Sequence, residues 1–207
     1  MSSPPSTPPP LRIGVLFEDV QIADLIGLDI FVNMSRKTLD TFAPTLPALA
    51  LLQPLSRPTT FHYTASSLTP TWTTNEMHVQ PTHTYASAPR DFDVLLVGGP
   101  NPATVKPESL QYLREAVTQT KVVLTTCTGG MWLALSGALG GRKATTNRGF
   151  LPAAREMCPE VEWVEKRWVV APGHFEGAEI WTAGGAGCGE FSLFSFSCVW
   201  YAVFLGI

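Results

Sequence analysis

The chain has 207 residues, 45% of them hydrophobic and 15% charged, with a net charge of −3. That amounts to one domain with enough apolar material for a full core, and too much for a disordered chain. The mild negative charge, with no basic run, argues against nucleic acid or an anionic membrane as partner.

The four cysteines, Cys127, Cys158, Cys188 and Cys198, form no CxxC pair and no ligand spacing with histidine, so no metal site is expected. They are too few for a disulfide scaffold in a chain this long, and a reducing, cytoplasmic setting is the default. Residues 1–10, MSSPPSTPPP, lack an apolar core and read as a disordered tail rather than a secretion signal.

Leu11–Phe17 is a short apolar run suited to an interior parallel strand. The loop Glu18-Asp19-Val20-Gln21 leads into Ile22–Met34, where apolar residues recur at helical spacing. Glu18, Asp19, Asp24 and Asp29 crowd this junction, mostly as carboxylates favoured by a helix N-terminus. Thr41–Ser87 is rich in Pro and Thr, with candidate strands at Ala48–Leu52, Phe61–Tyr63 and Met77–Gln80. Its histidines, His62, His78 and His83, match no ligand motif and suit surface or packing roles. Phe92–Val97 is a clear strand running into Gly98-Gly99-Pro100-Asn101, where glycine permits a close backbone approach to a ligand. Pro107–Thr118 is a helix with Pro107 in its first turn.

Lys121–Gly141, KVVLTTCTGGMWLALSGALGG, organises the rest. Val122–Leu124 is a buried strand, Thr125 and Thr126 end it, and Gly129-Gly130 open a helix that Gly140-Gly141 stops. A strand, a sharp turn carrying a nucleophile and a helix make a nucleophile elbow, with Cys127 in the serine position. The turn lifts Cys127 out of the sheet, small residues such as Gly129 let a substrate approach, and the helix N-terminus favours a thiolate below the pKa of a free thiol.

Beyond it, Lys143–Thr146 reads as a short strand and Phe150–Met157 as a helix. Val161–Val164 and Trp168–Val170 read as hairpin partners around Lys166-Arg167, and Ile180–Thr182 runs into a glycine-rich stretch. Strands alternating with helices indicate an α/β, flavodoxin-like, mostly parallel sheet with helices on both faces. Ligands in such sheets bind beyond the carboxyl ends of the strands, so Phe17, Gly98-Gly99 and Cys127 should converge.

Four blocks carry a resemblance: IGVLFEDVQIADLIG (13–27), FDVLLVGGP (92–100), TTCTGGMWLALSGALGGRKATTN (125–147) and WTAGGAGCG (181–189). They resemble the ThiJ/PfpI superfamily of class I glutamine amidotransferase-like proteins, and within it the isonitrile (isocyanide) hydratases most closely. The resemblance implies a domain over 11–188 and a small-molecule substrate. It places Cys127 as nucleophile, Asp24 as acid and Thr128 beside them, with Gly98, Gly99 and Gly129 around the substrate. It also implies a homodimer and no cofactor. Proteases and amidotransferases of the superfamily put a histidine beside the nucleophile, where this chain has Thr128; its regulators carry a helix-turn-helix domain for which this chain has no room. Two other readings remain: another cysteine hydrolase or glyoxalase-like enzyme, and a non-catalytic redox or ligand-binding protein.

Residues 189–207 depart from the family pattern, which continues with an amphipathic helix. Here the tail is apolar, with no charge after Glu190. Gly189-Glu190-Phe191 can be encoded by a sequence containing GTGAGT, the start of many eukaryotic introns, so translated intron is the working hypothesis for the tail, with a core segment or a weak anchor as the other readings.

Overall fold

The computed structural model describes residues 9–74 and 76–187. Its strands are β1 (Leu11–Leu16), β2 (Thr59–Ala65), β3 (Thr71–Trp72), β4 (His78–Val79), β5 (His83–Thr84), β6 (Val94–Val97), β7 (Val122–Thr125), β8 (Lys143–Ala144), β9 (Glu162–Trp163), β10 (Trp168–Pro172) and β11 (Glu179–Ala183). Seven of them form one sheet in the order β10-β11-β7-β6-β1-β2-β5. Every pairing in it is parallel except β10 with β11. The helices are α1 (Leu28–Asn33), α2 (Arg36–Phe42), α3 (Pro107–Ala116), α4 (Gly129–Leu135) and α5 (Leu151–Met157).

The flavodoxin-like α/β reading holds, and its physical basis is plain at the sheet centre. All four residues of β6 and all four of β7 are buried, so both faces there are covered. The core adds Tyr112 and Leu113 of α3 and Met131, Trp132 and Leu133 of α4. The Trp132 indole donates to Ser109 Oγ at 2.9 Å, so the one polar atom of this large buried ring is satisfied between two helices.

Register sets up the site. Leu16 of β1 lies opposite Val97 of β6, which lies opposite Thr125 of β7. Three strands therefore end level, and the chain leaving each enters the same crevice. β1 has β2 on one side and β6 on the other, so the chain order switches direction at the β1–β6 crevice. That is where open α/β sheets bind ligands.

Several local expectations are corrected. Ile22–Met34 is not one helix: a 3₁₀ turn at Ile22–Leu25 precedes α1, and α2 follows after the Ser35 cap. The tight turn buries Asp24 together with Leu25, which a continuous surface helix would not do. Ala48–Leu52 lies in 3₁₀ turns spanning Pro47–Leu51 and Gln53–Leu55, each with proline in its first turn, and no buried residue draws it into a sheet. α4 ends at Leu135 because Gly137 takes a left-handed conformation (φ 84°) right after the Ser136 cap, earlier than Gly140-Gly141.

The expected hairpin around Lys166-Arg167 is absent. β9 pairs in parallel with β8 in a small separate sheet, whereas β10 pairs with β11. The real turn lies between Gly173 and Ala178, where Gly177 has φ 79° and a Cβ on Gly173 would sit 2.6 Å from that of Ala178. The tail reading of residues 1–8 and the reading of 189–207 fall outside the described residues, as do Cys188 and Cys198. No helix among the described residues is long and apolar enough to cross a membrane.

Candidate active site

Cys127 directly follows the Thr125-Thr126 end of the β7 segment and has φ 53°, the left-handed region that costs a side-chain-bearing residue about 1–2 kcal/mol. The elbow is held in place by its neighbours. The Thr126 amide donates to Val97 O at 3.1 Å, and the Thr126 hydroxyl donates to the Asp24 carbonyl at 3.2 Å. From the other side the Thr146 hydroxyl donates to Cys127 O at 2.9 Å.

Asp24 reaches the same place from the turn after β1. It is 1% exposed, and its Oδ2 accepts the Gly99 amide at 3.1 Å. Its Oδ1 is buried with no hydrogen-bond partner. Burial pushes the carboxyl up to about 6, against the opposing hydrogen bonds from Gly99 and Thr126. A carboxyl so placed exchanges its proton near neutral pH.

Gly99 fits between Asp24 and Thr128. A Cβ there would lie 2.7 Å from Thr128 Oγ1, 2.8 Å from Asp24 Oδ2 and 2.9 Å from Thr128 N. The Thr128 hydroxyl donates to Pro100 O at 2.6 Å, leaving its oxygen only as an acceptor. Gly98 and Gly129 lie beneath this layer. A Cβ on Gly129 would meet Val97 O at 2.4 Å, and one on Gly98 would meet Val20 at 3.0 Å. Gly129 lets α4 rest backbone-to-backbone on the end of β6, and Gly98 leaves room for the Val20 side chain.

Above these residues opens a cleft of about 500 Å³ in which Gly99, Cys127, Thr128, Asn147 and Phe150 meet. Asp24 stands behind Gly99 and Thr128 rather than on the open wall. None of the four histidines lines the cleft. Among the described residues no group of three His, Cys, Asp or Glu is placed to hold a metal ion.

The thiol departs from expectation. Burial pushes Cys127 above the ordinary thiol value, and the charge of Asp24 adds to this; hydrogen bonds from Asn147 and Thr128 oppose it. The start of α4 does not outweigh the loss of water. At neutral pH the pair carries one proton to share, which favours the thiol with a carboxylate and keeps the thiolate with a carboxylic acid within reach.

Sequence reasoning missed Asn147. Its Nδ2 donates to Cys127 Sγ at 3.3 Å. The only cue was local: asparagine is a favoured cap ahead of a helical segment, and the Asn147 side chain does accept the Gly149 amide at 3.0 Å. The acidic residues near β1 also sort themselves. Burial would raise Glu18, but Lys106 at 2.5 Å, Ser66 and the Tyr85 hydroxyl at 2.9 Å hold it below the usual carboxylate range. Asp29 sits in the first turn of α1, as the helix dipole favours.

Residues 54–186 match the DJ-1/PfpI family. The chain belongs to the DJ-1/PfpI family. Among curated relatives of this DJ-1/PfpI protein, the isonitrile hydratase of Pseudomonas putida is 28% identical over 141 residues, which are 66% of this chain and 52% of that one. The chain thus spans about half the length of the relative. Among solved structures, a ThiJ/PfpI family protein from Pseudomonas syringae superposes with a TM-score of 0.69 at 19% identity, covering 98% of this chain and 76% of the other. A putative transcriptional regulator protein from Vibrio parahaemolyticus gives 0.66 at 19% identity, covering 90% of each chain. Schizosaccharomyces pombe DJ-1 gives 0.57 at 11%, again covering 90% of each. At these identities the structures attest the DJ-1/PfpI fold alone.

Proposed function

We propose that this protein is an isonitrile hydratase-like lyase that adds water to an isonitrile, giving an N-substituted formamide through a Cys127 thioimidate. The observation that carries this reading is Asp24: a buried carboxyl raised to about 6, with one unpartnered oxygen, set behind Gly99 and Thr128 at the Cys127 elbow. Hydrolysis by a thiol would ask for a histidine in the cleft, and none lines it. Addition to an isonitrile instead asks for an acid beside the sulfur.

The Cys127 thiolate attacks the terminal isonitrile carbon while Asp24 gives its proton to the same carbon, forming the S–C bond and a neutral thioimidate. Water then adds across C=N, its oxygen to carbon and a proton to nitrogen. The tetrahedral intermediate collapses as Asp24 takes the hydroxyl proton, the C=O bond forms and the thiolate leaves. Asp24 ends protonated and Cys127 ends as thiolate, ready for a second turnover. The Gly99 amide is committed to Asp24, so it orients the acid rather than the intermediate. Thr128 Oγ1, its own hydrogen engaged by Pro100, accepts a hydrogen bond from the attacking water.

The test is direct. Purified protein incubated with simple alkyl and aryl isonitriles should release the corresponding formamides, read by mass spectrometry against a protein-free blank. No formamide from any of them, with the fold intact, would overturn the reading.

A further inference from the structure

We propose that Asn147 is a catalytic residue whose carboxamide N–H holds the negative charge on the Cys127 sulfur, before attack and again when the thiolate is expelled. This rests on Cys127 being the nucleophile.

The geometry fixes which end of the side chain meets the sulfur. The Asn147 oxygen accepts the Gly149 amide at 3.0 Å, an arrangement that leaves the NH₂ group directed at Sγ, 3.3 Å away. The backbone leading to Asn147 is clamped to the elbow. The Thr146 hydroxyl donates to Cys127 O, the Thr145 amide donates to Thr182 Oγ1 at 2.9 Å, and Thr145 O packs where a Cβ on Gly130 would lie 2.6 Å away. A donor held from both sides does not have to be ordered again at each turnover.

The charges around the sulfur make that donor necessary. Among the described residues no lysine, arginine or histidine lines the cleft. Arg148, next in the chain, is turned to Glu165 at 2.6 Å. The titratable groups on the sulfur's side are Asp24 from the turn after β1 and Asp19 at the cleft wall, and both are acidic. α4 is only seven residues long. What remains to stabilise a thiolate is Thr128, through its amide and hydroxyl, and the Asn147 carboxamide; the Thr128 hydroxyl donates to Pro100 O, so Asn147 is the side chain whose donor is directed at the sulfur.

Two substitutions separate this role from capping. Asn147→Asp keeps the size and the oxygen that accepts from Gly149, but exchanges the donor for a second acceptor. Asn147→Ser is also a good cap, and its side chain is too short to reach the sulfur. The experiment is the pH dependence of Cys127 alkylation by iodoacetamide in the full chain, followed by intact mass, with thermal unfolding alongside. No isonitrile is needed, so the result stands apart from the hydratase reading. Both variants should alkylate about 10- to 100-fold more slowly at pH 7, the size expected for losing a hydrogen bond to a charged group. The midpoint should move upward by a unit or more, with the high-pH plateau unchanged and Asn147→Asp moved furthest. Midpoints equal to wild type in either folded variant would overturn the proposal, as would a lowered plateau with an unmoved midpoint.

Discussion

The Gly99 amide donates to the Asp24 carboxyl at 3.1 Å, and the same glycine leaves no room for a side chain between Asp24 and Thr128. One residue at the end of β6 therefore sets the position of a carboxyl that arrives from β1 and of a threonine that follows β7. Gly99→Ala would place a methyl 2.7 Å from Thr128 Oγ1 and 2.8 Å from Asp24 Oδ2, so one of them must move. We predict a loss of about 10²-fold in kcat for isonitrile hydration, since a displacement of about 1 Å has that effect. The stability cost should be only about 1–3 kcal/mol. Steady-state kinetics and urea unfolding of the same preparation check both numbers.

Asp24 also governs stability against pH. Its folded pKa, about 6, lies above its ordinary value of 3.8. Below pH 4 both folded and unfolded chains hold the proton and no penalty exists. As pH rises through 4 to 6 the unfolded chain releases its proton first, so the fold loses stability, and the loss is complete above 6. Asn in this position presents its oxygen to the Gly99 amide and carries no charge. Asp24→Asn should therefore unfold like wild type near pH 4 and be about 3 kcal/mol more stable at pH 7.5. Thermal melts at the two pH values are the check; an equal advantage at both would contradict the assignment.

The same titration shapes activity. Below pH 6 Asp24 protonates while Cys127 is still a thiol, and attack stops for want of a thiolate. Above the raised thiol value both groups are charged and the acid is gone. The profile of kcat/KM should be bell-shaped, with its acid limb near 6 and its alkaline limb above the ordinary thiol range. The residual activity of Asp24→Asn should lack the acid limb.

Cys158 offers an internal control for reactivity. Burial, helped by the charge of Glu160, raises its thiol to about 11, and it lies in the core. Cys127 lines the open cleft with hydrogen-bond donors at its sulfur. Peptide mapping after a short pulse of iodoacetamide at pH 8 should find Cys127 labelled well ahead of Cys158. Equal labelling would mean that the folded cleft does not set access.

A homodimer is expected as well. Phe42, Leu46, Leu51, Leu52 and Leu55 are all exposed within one short stretch, Leu51 at 77%. Such a patch suits a second copy of the chain. Light scattering should return twice the 22.5 kDa of one chain. A one-chain mass across a wide concentration range would contradict it.

The parts of the fold legible from residues were those governed by local pattern. The runs Phe92–Val97 and Val122–Leu124 read as buried strands because they are short, apolar and rich in valine and leucine, and strands form there at Val94–Val97 and Val122–Thr125. Cys127 and Gly99 could be named because a tight turn and a glycine follow strand ends, whereas Asp24 was singled out from the four acids near the end of β1 by the family resemblance alone. Partner choice was not legible. β10 finds β11 across a turn set by Gly173 and Gly177, and no periodicity distinguishes that pairing from one with β9. The break before α1 buries Asp24 and Leu25 in a tight turn, which the helical spacing of Ile22–Met34 does not announce. Asn147 lies twenty residues beyond the sulfur it contacts, and the upward thiol shift comes from burial that only the folded chain has.

The central claim is that Cys127 attacks while Asp24 supplies the proton. The measurement that tests it most directly is release of the N-substituted formamide by wild type, Cys127→Ala and Asp24→Asn, side by side at pH 7.5. The account predicts turnover by wild type, none by Cys127→Ala, and a rate at least about 10²-fold lower for Asp24→Asn with its thiol still alkylated by iodoacetamide. Formamide released at the wild-type rate by either variant would contradict it.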